Sequence, residues 1–338
     1  MTAQSLAAVA QAMVAPGKGI LAADESSGTI KKRFDSIKLE STAESRRAYR
    51  DMLFTTPGAS EFISGVILYD ETLRQSTLSG VPVPKYLAQQ GMIPGIKVDA
   101  GAKPLAGFPG ETVTEGLDGL RERLKEYAGL GAKFAKWRAV IAIGPDFPGS
   151  FSLAANAHAL ARYAALCQEA GIVPIVEPEV LMDGDHTIGR CEEVTTAALE
   201  RTFIELRAHR VDFAGMVLKP NMVVPGQDCR QKASVREVAE ATIRCLKATV
   251  PATVPGIAFL SGGQSPEEST EHLGAMNTLG ALPWQLTFSY GRALQAPSLK
   301  AWGGKPEAVK AGQAAFLKRA RLNGLAHAGQ YRREMEAA

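Results

Sequence analysis

Lys219 stands alone among the apolar residues 214–224, and Pro220 behind it disfavours helix and holds it in an extended conformation. A lysine in water, with a pKa near ~10.4, is neutral less than about once in a thousand at pH 7. Burial and a nearby like charge both favour the neutral amine, and Lys136 in FAKWR is a candidate for that charge. An amine tuned in this way condenses with a ketone to a Schiff base. The same lysine is also compatible with a side chain that snorkels out of a strand end. Schiff-base chemistry must move protons onto a departing hydroxyl and off the substrate, and Asp24, Glu177 and Glu179 are the carboxylates for that work. Residues two apart on a strand share a face, so Lys136 projects with Arg138, and Glu177 with Glu179.

A second group of residues fits an anion. Ser261-Gly262-Gly263 runs into Ser265-Pro266, with Glu268 three residues after Ser265, which is a capping box with proline at the first helical turn. Glycines let backbone N–H groups approach a phosphate, and a helix N-terminus adds its dipole. A glycine-rich turn alone is weak evidence, but Arg292, after Ser289-Tyr290-Gly291, adds a planar fork of donors, and Lys97 could hold a second anion.

These residues lie late in eight short apolar runs: GILAADES, ISGVILYD, MIPGIKVD, FAKWRAVIAI, IVPIVEPEVL, AGMVLKPNMV, GIAFLSGG and WQLTFSYG. The intervals hold helical patterns. Ser234 and Glu237 box the start of a stripe of Val235, Val238, Ala239, Ile243 and Leu246. Leu117, Leu120, Leu124 and Tyr127 form another stripe, residues 152–170 a third helix ending at Gly171, and residues 81–90 a weak one. Eight apolar strands alternating with helices predict a (β/α)8 TIM barrel, which places chemistry at the C-terminal ends of its strands. An open doubly wound sheet is the alternative, disfavoured because no GxGxxG follows the first strand. The expectation is one barrel domain over residues 1–338, with a short surface helix within residues 1–14 and a C-terminal tail. For any one charged residue a structural ion pair is the simpler reading. Five strands carrying such residues at the same end favour a site.

Composition narrows the function classes. The 338 residues carry a net charge of +3 without a run of like charges, so neither nucleic acid nor a membrane surface is expected as partner. No apolar stretch reaches eighteen residues, and the first fourteen lack the basic start of a secretion signal, so retention in the cytoplasm is expected. Cys167, Cys191, Cys229 and Cys245 are scattered, as reduced thiols would be. His158, His186, His209, His272 and His327 show no paired metal-ligand spacing, and Asp183-Gly184-Asp185-His186 reads as a capped loop, so no metal is expected.

Taken in order, GILAADES, IKVDAG, LAGFPGET, GLDGL, FAKWR, GIVPIVEPE, DGDH, LKPNMV, FLSGGQS, LTFSYGRALQ and LKAWGG resemble segments of class I fructose-bisphosphate aldolase, the metal-free Schiff-base family, over residues 19–322. The resemblance implies reversible cleavage of fructose 1,6-bisphosphate to dihydroxyacetone phosphate and glyceraldehyde 3-phosphate, without a cofactor, in a homotetramer. It implies Lys219 as the imine-forming lysine and Glu177 as the main proton-transfer group. Asp24 would assist carbon–carbon cleavage, Lys136 would lower the lysine pKa and guide the intermediate, and Glu179 would support the lysine network. Ser261, Gly262, Gly263, Ser289, Gly291 and Arg292 match positions at the phosphate next to the ketone. Arg33, Thr29 and Lys97 match positions near the other phosphate, a serine being usual in place of Thr29, and Arg138 and Arg319 are further matches.

One departure concerns the tail. Many family members end in a tyrosine that helps exchange a proton on the enamine, whereas here Tyr331 is followed by seven more residues. Either Tyr331 reaches the site or another group, Glu177 or water, performs that step, and the second is expected. Two other readings remain: an aldolase of another sugar phosphate such as sedoheptulose bisphosphate, or a barrel kept as a scaffold.

Overall fold

The computed structural model describes residues 3–337. Ten strands are present among them: β1 (Gly19–Ala23), β2 (Ile63–Leu68), β3 (Ile93–Lys97), β4 (Ala102–Pro104), β5 (Thr112–Thr114), β6 (Phe134–Ile141), β7 (Val173–Val180), β8 (Val217–Leu218), β9 (Gly256–Phe259) and β10 (Gln285–Tyr290). Eight pair in parallel and close into a barrel in the order β1-β10-β9-β8-β7-β6-β3-β2. All eight apolar runs supply these strands. β1, β2 and β7 are buried at every position, as strands enclosed by helices on one side and by barrel contents on the other must be.

The intervening segments fold as the caps and periods require. Ser234 and Ser265 each accept a hydrogen bond from the third residue of their helices, Val235–Thr249 and Pro266–Asn277, and both capping boxes are complete. The helix Ser150–Glu169 stops before Gly171, whose φ of +72° suits glycine and would strain a side chain.

β8 is two residues long, far shorter than its apolar run. Pro220 has no N–H to give the ladder, so the chain leaves the sheet at Lys219, whose own N–H still reaches the Val176 carbonyl at 2.8 Å. Strands β4 and β5 were not legible as strands in the sequence. They form a small antiparallel hairpin that clips onto β6 through Thr112 to the Val140 carbonyl and Thr114 to the Arg138 carbonyl.

The helix Ala3–Met13 corrects the expectation of a surface element. Leu6, Ala10, Met13 and Val14 are buried in one cluster with Ile20, Phe134, Val173 and Val217, residues at or near the starts of their strands, so this segment plugs the N-terminal end of the barrel. Phe134 fills the interior there so tightly that a Cβ on Gly95 would fall 2.2 Å from its ring. A packed floor leaves the opposite end as the place for a ligand.

Met13 is fully buried in this plug, so Met13→Ala is expected to lower unfolding stability by about 2–5 kcal/mol while leaving kcat unchanged. Urea unfolding monitored beside an activity assay checks this, and a loss well below that range would mean the plug contributes little.

Candidate active site

At the C-terminal mouth of the barrel lies a cavity of about 830 Å³. Each catalytic candidate reaches it by a simple local rule. Asp24 follows the last residue of β1, Lys136 and Arg138 project from the same face of β6, Glu177 and Glu179 from the same face of β7, and Lys219 follows β8.

These side chains form one chain of charges. Lys219 Nζ is 3.3 Å from Glu177 Oε1, and Glu177 Oε2 is 3.6 Å from Lys136 Nζ. Lys136 Nζ then meets Asp24 Oδ2 at 2.7 Å and Asp99 Oδ2 at 3.9 Å. The side chains of Lys219, Glu177 and Lys136 are each only 4–5% exposed, so little water screens them. Burial alone would push the Asp24 carboxyl up, but the charges of Lys136 and Lys219 outweigh it and hold its pKa at about 2. Burial likewise disfavours the Lys136 ammonium, yet Asp24, Glu177 and Asp99 together raise its pKa above the ordinary value. Both groups are therefore ionised at neutral pH. Glu177 Oε2, by contrast, is buried without a hydrogen-bond partner. A carboxyl oxygen left unbonded between two amines is placed to accept or deliver a proton.

The anion-binding candidates surround this chain. Ser261, Gly262, Ser289, Gly291 and Arg292 line one side of the cavity, and Thr29, Arg33, Lys97 and Arg138 also line it. Gly262 and Gly263 have φ of +48° and +94°, so the turn depends on glycine. Gly263 itself is outside the lining, with Met182 at its back. The buried Ser289 hydroxyl has no protein partner and is free for a ligand. Arg292 is exposed at the start of the helix Arg292–Trp302, while Arg33 is fixed by Glu25 at 2.5 Å.

Two sequence-derived placements change, those of Arg319 and Glu179. Arg319 lies outside the lining: its guanidinium is spent on Glu336 at 2.6 Å, on the Pro266 carbonyl at 2.8 Å and on Thr270. It braces the first turn of the helix that follows the glycine loop and does not face the cavity. Glu179 pairs with Arg138 and is not within ion-pair distance of Lys219. Tyr331 also lies outside the lining, with its hydroxyl donating to Glu336 Oε1 at 3.0 Å. The Asp183–His186 segment is a loop, and Thr187 directly after it caps the helix Ile188–Ala208.

Two residues of the site were missed. Asp99, just past the end of β3, binds Lys97 Nζ at 2.6 Å, the Gly101 N–H at 3.1 Å and the Arg138 N–H at 3.3 Å, and so ties its own loop to β6. Its place at a strand end was visible, but its contacts with Arg138 and Lys136 come from a distant segment. Glu25 receives Arg33, Arg50 and Gln295 within 3.5 Å, a role that adjacency to Asp24 alone does not reveal.

Residues 5–338 match the family described as fructose-bisphosphate aldolase class-I. The chain belongs to the class-I fructose-bisphosphate aldolase family. It is 60% identical to a probable fructose-bisphosphate aldolase class 1 of Xylella fastidiosa (strain 9a5c) over 334 residues, covering 98% of this chain and 100% of that protein. It is 55% identical to the cytosolic fructose-bisphosphate aldolase 4 of Arabidopsis thaliana, covering 94% of this chain and 81% of the plant one. The fold also matches fructose-bisphosphate aldolase from Plasmodium falciparum, solved in complex with TRAP and a small-molecule inhibitor, with a TM-score of 0.96 and 50% identity over 97% of this chain and 95% of that one. The aldolase family resemblance and the barrel expected from the sequence are thus both found.

In this aldolase-family site Lys136 compensates three carboxylates at once. Lys136→Met is therefore expected to destabilise the fold by about 3–5 kcal/mol, the scale of breaking a buried ion pair. Equilibrium unfolding at pH 7 measures it, and a change below about 1 kcal/mol, the scale of an exposed pair, would show that water relieves these charges.

Proposed function

We propose that this protein, working as one barrel domain over residues 1–338, cleaves fructose 1,6-bisphosphate reversibly into dihydroxyacetone phosphate and glyceraldehyde 3-phosphate through an imine on Lys219. The observation that carries this reading is the buried Lys219–Glu177–Lys136–Asp24 chain inside a cavity ringed by anion-binding groups. The Lys219 amine attacks the C2 carbonyl, and the carbinolamine loses water as Glu177, 3.3 Å from the amine, delivers the proton. The protonated imine then draws the electron pair of the C3–C4 bond while Asp24 takes the C4 hydroxyl proton. Aldehyde departs, the enamine is protonated at C3, and water releases the ketone and restores Lys219.

Asp24 suits the role of acceptor once substrate draws Lys136 toward the developing alkoxide. Until then the ammonium holds it ionised. Lys136 gives this charge without losing its own proton, so it orients the intermediate. Ser261, Gly262, Ser289, Gly291 and Arg292 hold the phosphate beside the ketone, and Gly263, outside the lining, completes the turn that carries Gly262. Thr29, Arg33 and Lys97 hold the other, with Arg138 at the cavity edge in its pair with Glu179. Two fixed phosphates convert binding into orientation of the scissile bond. No metal or cofactor takes part.

The tail chemistry is assigned to groups inside the cavity. Tyr331 is tied to Glu336, and burial and that carboxylate raise its pKa above the ordinary value, which supports Glu177 or water as the agent that protonates the enamine. The protein acts in the cytoplasm as a homotetramer, a reading supported by the cytosolic plant relative for the first point and by the family resemblance for the second. Among the described residues no helix is long and apolar enough to cross a membrane.

Cleavage of fructose 1,6-bisphosphate is expected to persist in excess EDTA, with a higher kcat/KM than for sedoheptulose 1,7-bisphosphate. Glu177→Gln should lower kcat by about 10²–10⁴-fold, and Tyr331→Phe should leave proton exchange on dihydroxyacetone phosphate near the unaltered rate. Loss of activity in EDTA would refute the metal-free reading. Collapse of exchange in Tyr331→Phe would return that step to the tail.

A further inference from the structure

We infer that the outer wall of the barrel carries a binding site for a borderline divalent cation of the zinc, nickel or copper type, built from His158, Glu205 and His209. His158 lies on the helix Ser150–Glu169, Glu205 on the helix Ile188–Ala208, and His209 caps that second helix. One ligand atom from each falls within 4.8 Å of the other two. The two Nδ1 atoms are 3.5 and 3.9 Å from Glu205 Oε2. Ligand atoms at the usual zinc distances of about 2.0–2.2 Å from a tetrahedral ion stand roughly 3.4 Å apart, so small rotations of these side chains close the site.

The surroundings fit a cation. The imidazole rings meet edge to face, with centroids 4.9 Å apart at 69°, so they converge on the carboxylate and do not stack. Arg201 binds Oε1 of Glu205 at 2.8 Å, which orients the carboxylate and leaves Oε2 toward the histidines. His209 Nδ1 now contacts the Glu205 carbonyl at 2.9 Å; metal binding at Nδ1 exchanges that contact and leaves the ring proton on Nε2. The cluster also sits at the C-terminal end of a 21-residue helix, where the backbone carbonyls favour positive charge. The His158 side chain is 55% exposed, so solvent supplies the fourth position.

His and carboxylate ligands together select ions of this group over calcium or magnesium, which prefer all-oxygen sites. The separation of the ligands explains why their spacing carried no signal: His158 is 47 residues from Glu205, and the pairing exists only because two neighbouring helices pack side by side. The site takes no part in the reaction at the barrel mouth. A bound ion instead clamps the helix that links β6 to β7 against the helix that follows β7, the two strands bearing Lys136 and Glu177.

The test is equilibrium dialysis of EDTA-stripped protein against Zn²⁺ and, separately, Ni²⁺, followed by thermal unfolding with and without the ion. The unaltered protein is expected to bind one equivalent that is weakened at least about tenfold in both His158→Ala and His209→Ala. Its Tm should rise with the ion, and that rise should vanish in both variants. Unchanged cleavage activity in His158→Ala shows that the variant is folded. The inference fails if the unaltered protein binds no ion with this dependence, or if either histidine variant retains its full affinity.

Discussion

Lys136 is a charged amine held out of water, and three carboxylates from three other strands converge on it. Taking an ammonium from water costs several kcal/mol, and only close, well-placed opposite charges recover that cost. Asp24, Asp99 and Glu177 supply them from β1, β3 and β7, at 2.7, 3.9 and 3.6 Å. β3 and β7 flank β6 directly, but Asp24, the nearest of the three, reaches Lys136 only because the sheet closes and brings β1 across from β6. Closure of the barrel and the site at its mouth are therefore one requirement seen at two scales: the strands must meet for the charges to be tolerated, and the charges then hold the strand ends in register.

The same constraint sets what Lys219 can do. Its amine shares Glu177 with Lys136, so the carboxylate is contested by two cations in a place with little water. A proton that leaves Lys219 has Glu177 as its nearest carboxylate, 3.3 Å away, and the other oxygen of that carboxylate faces Lys136 at 3.6 Å. The packed plug beneath, with Met13 and Phe134 at its centre, keeps this exchange at the open end, where substrate can enter.

Much of this was legible in the sequence because barrel architecture maps chain position onto space. A polar residue late in an apolar run lands at the mouth, so Asp24, Lys136, Glu177 and Lys219 could be grouped before any distance was known. What stayed hidden depended on long-range partners. Asp99 ended its run like the others, but its hold on the Arg138 N–H lies in a contact across strands. Arg319 matched a family position, yet Glu336 and the Pro266 carbonyl claim its donors. The first helix reads as a surface element in the sequence, and only its packing against Ile20, Phe134, Val173 and Val217 at the barrel floor makes it part of the core. Pro220 also limits β8 to two residues, which the length of the apolar run did not reveal.

The central claim is that the Lys219 amine, activated inside this charge chain, is the atom that bonds to substrate. Borohydride reduction in the presence of dihydroxyacetone phosphate and EDTA, followed by peptide mass spectrometry, tests it most directly. The account predicts a single reduced adduct on the peptide containing Lys219, absent when substrate is omitted. An adduct on another lysine, or none while the protein remains active, would contradict it.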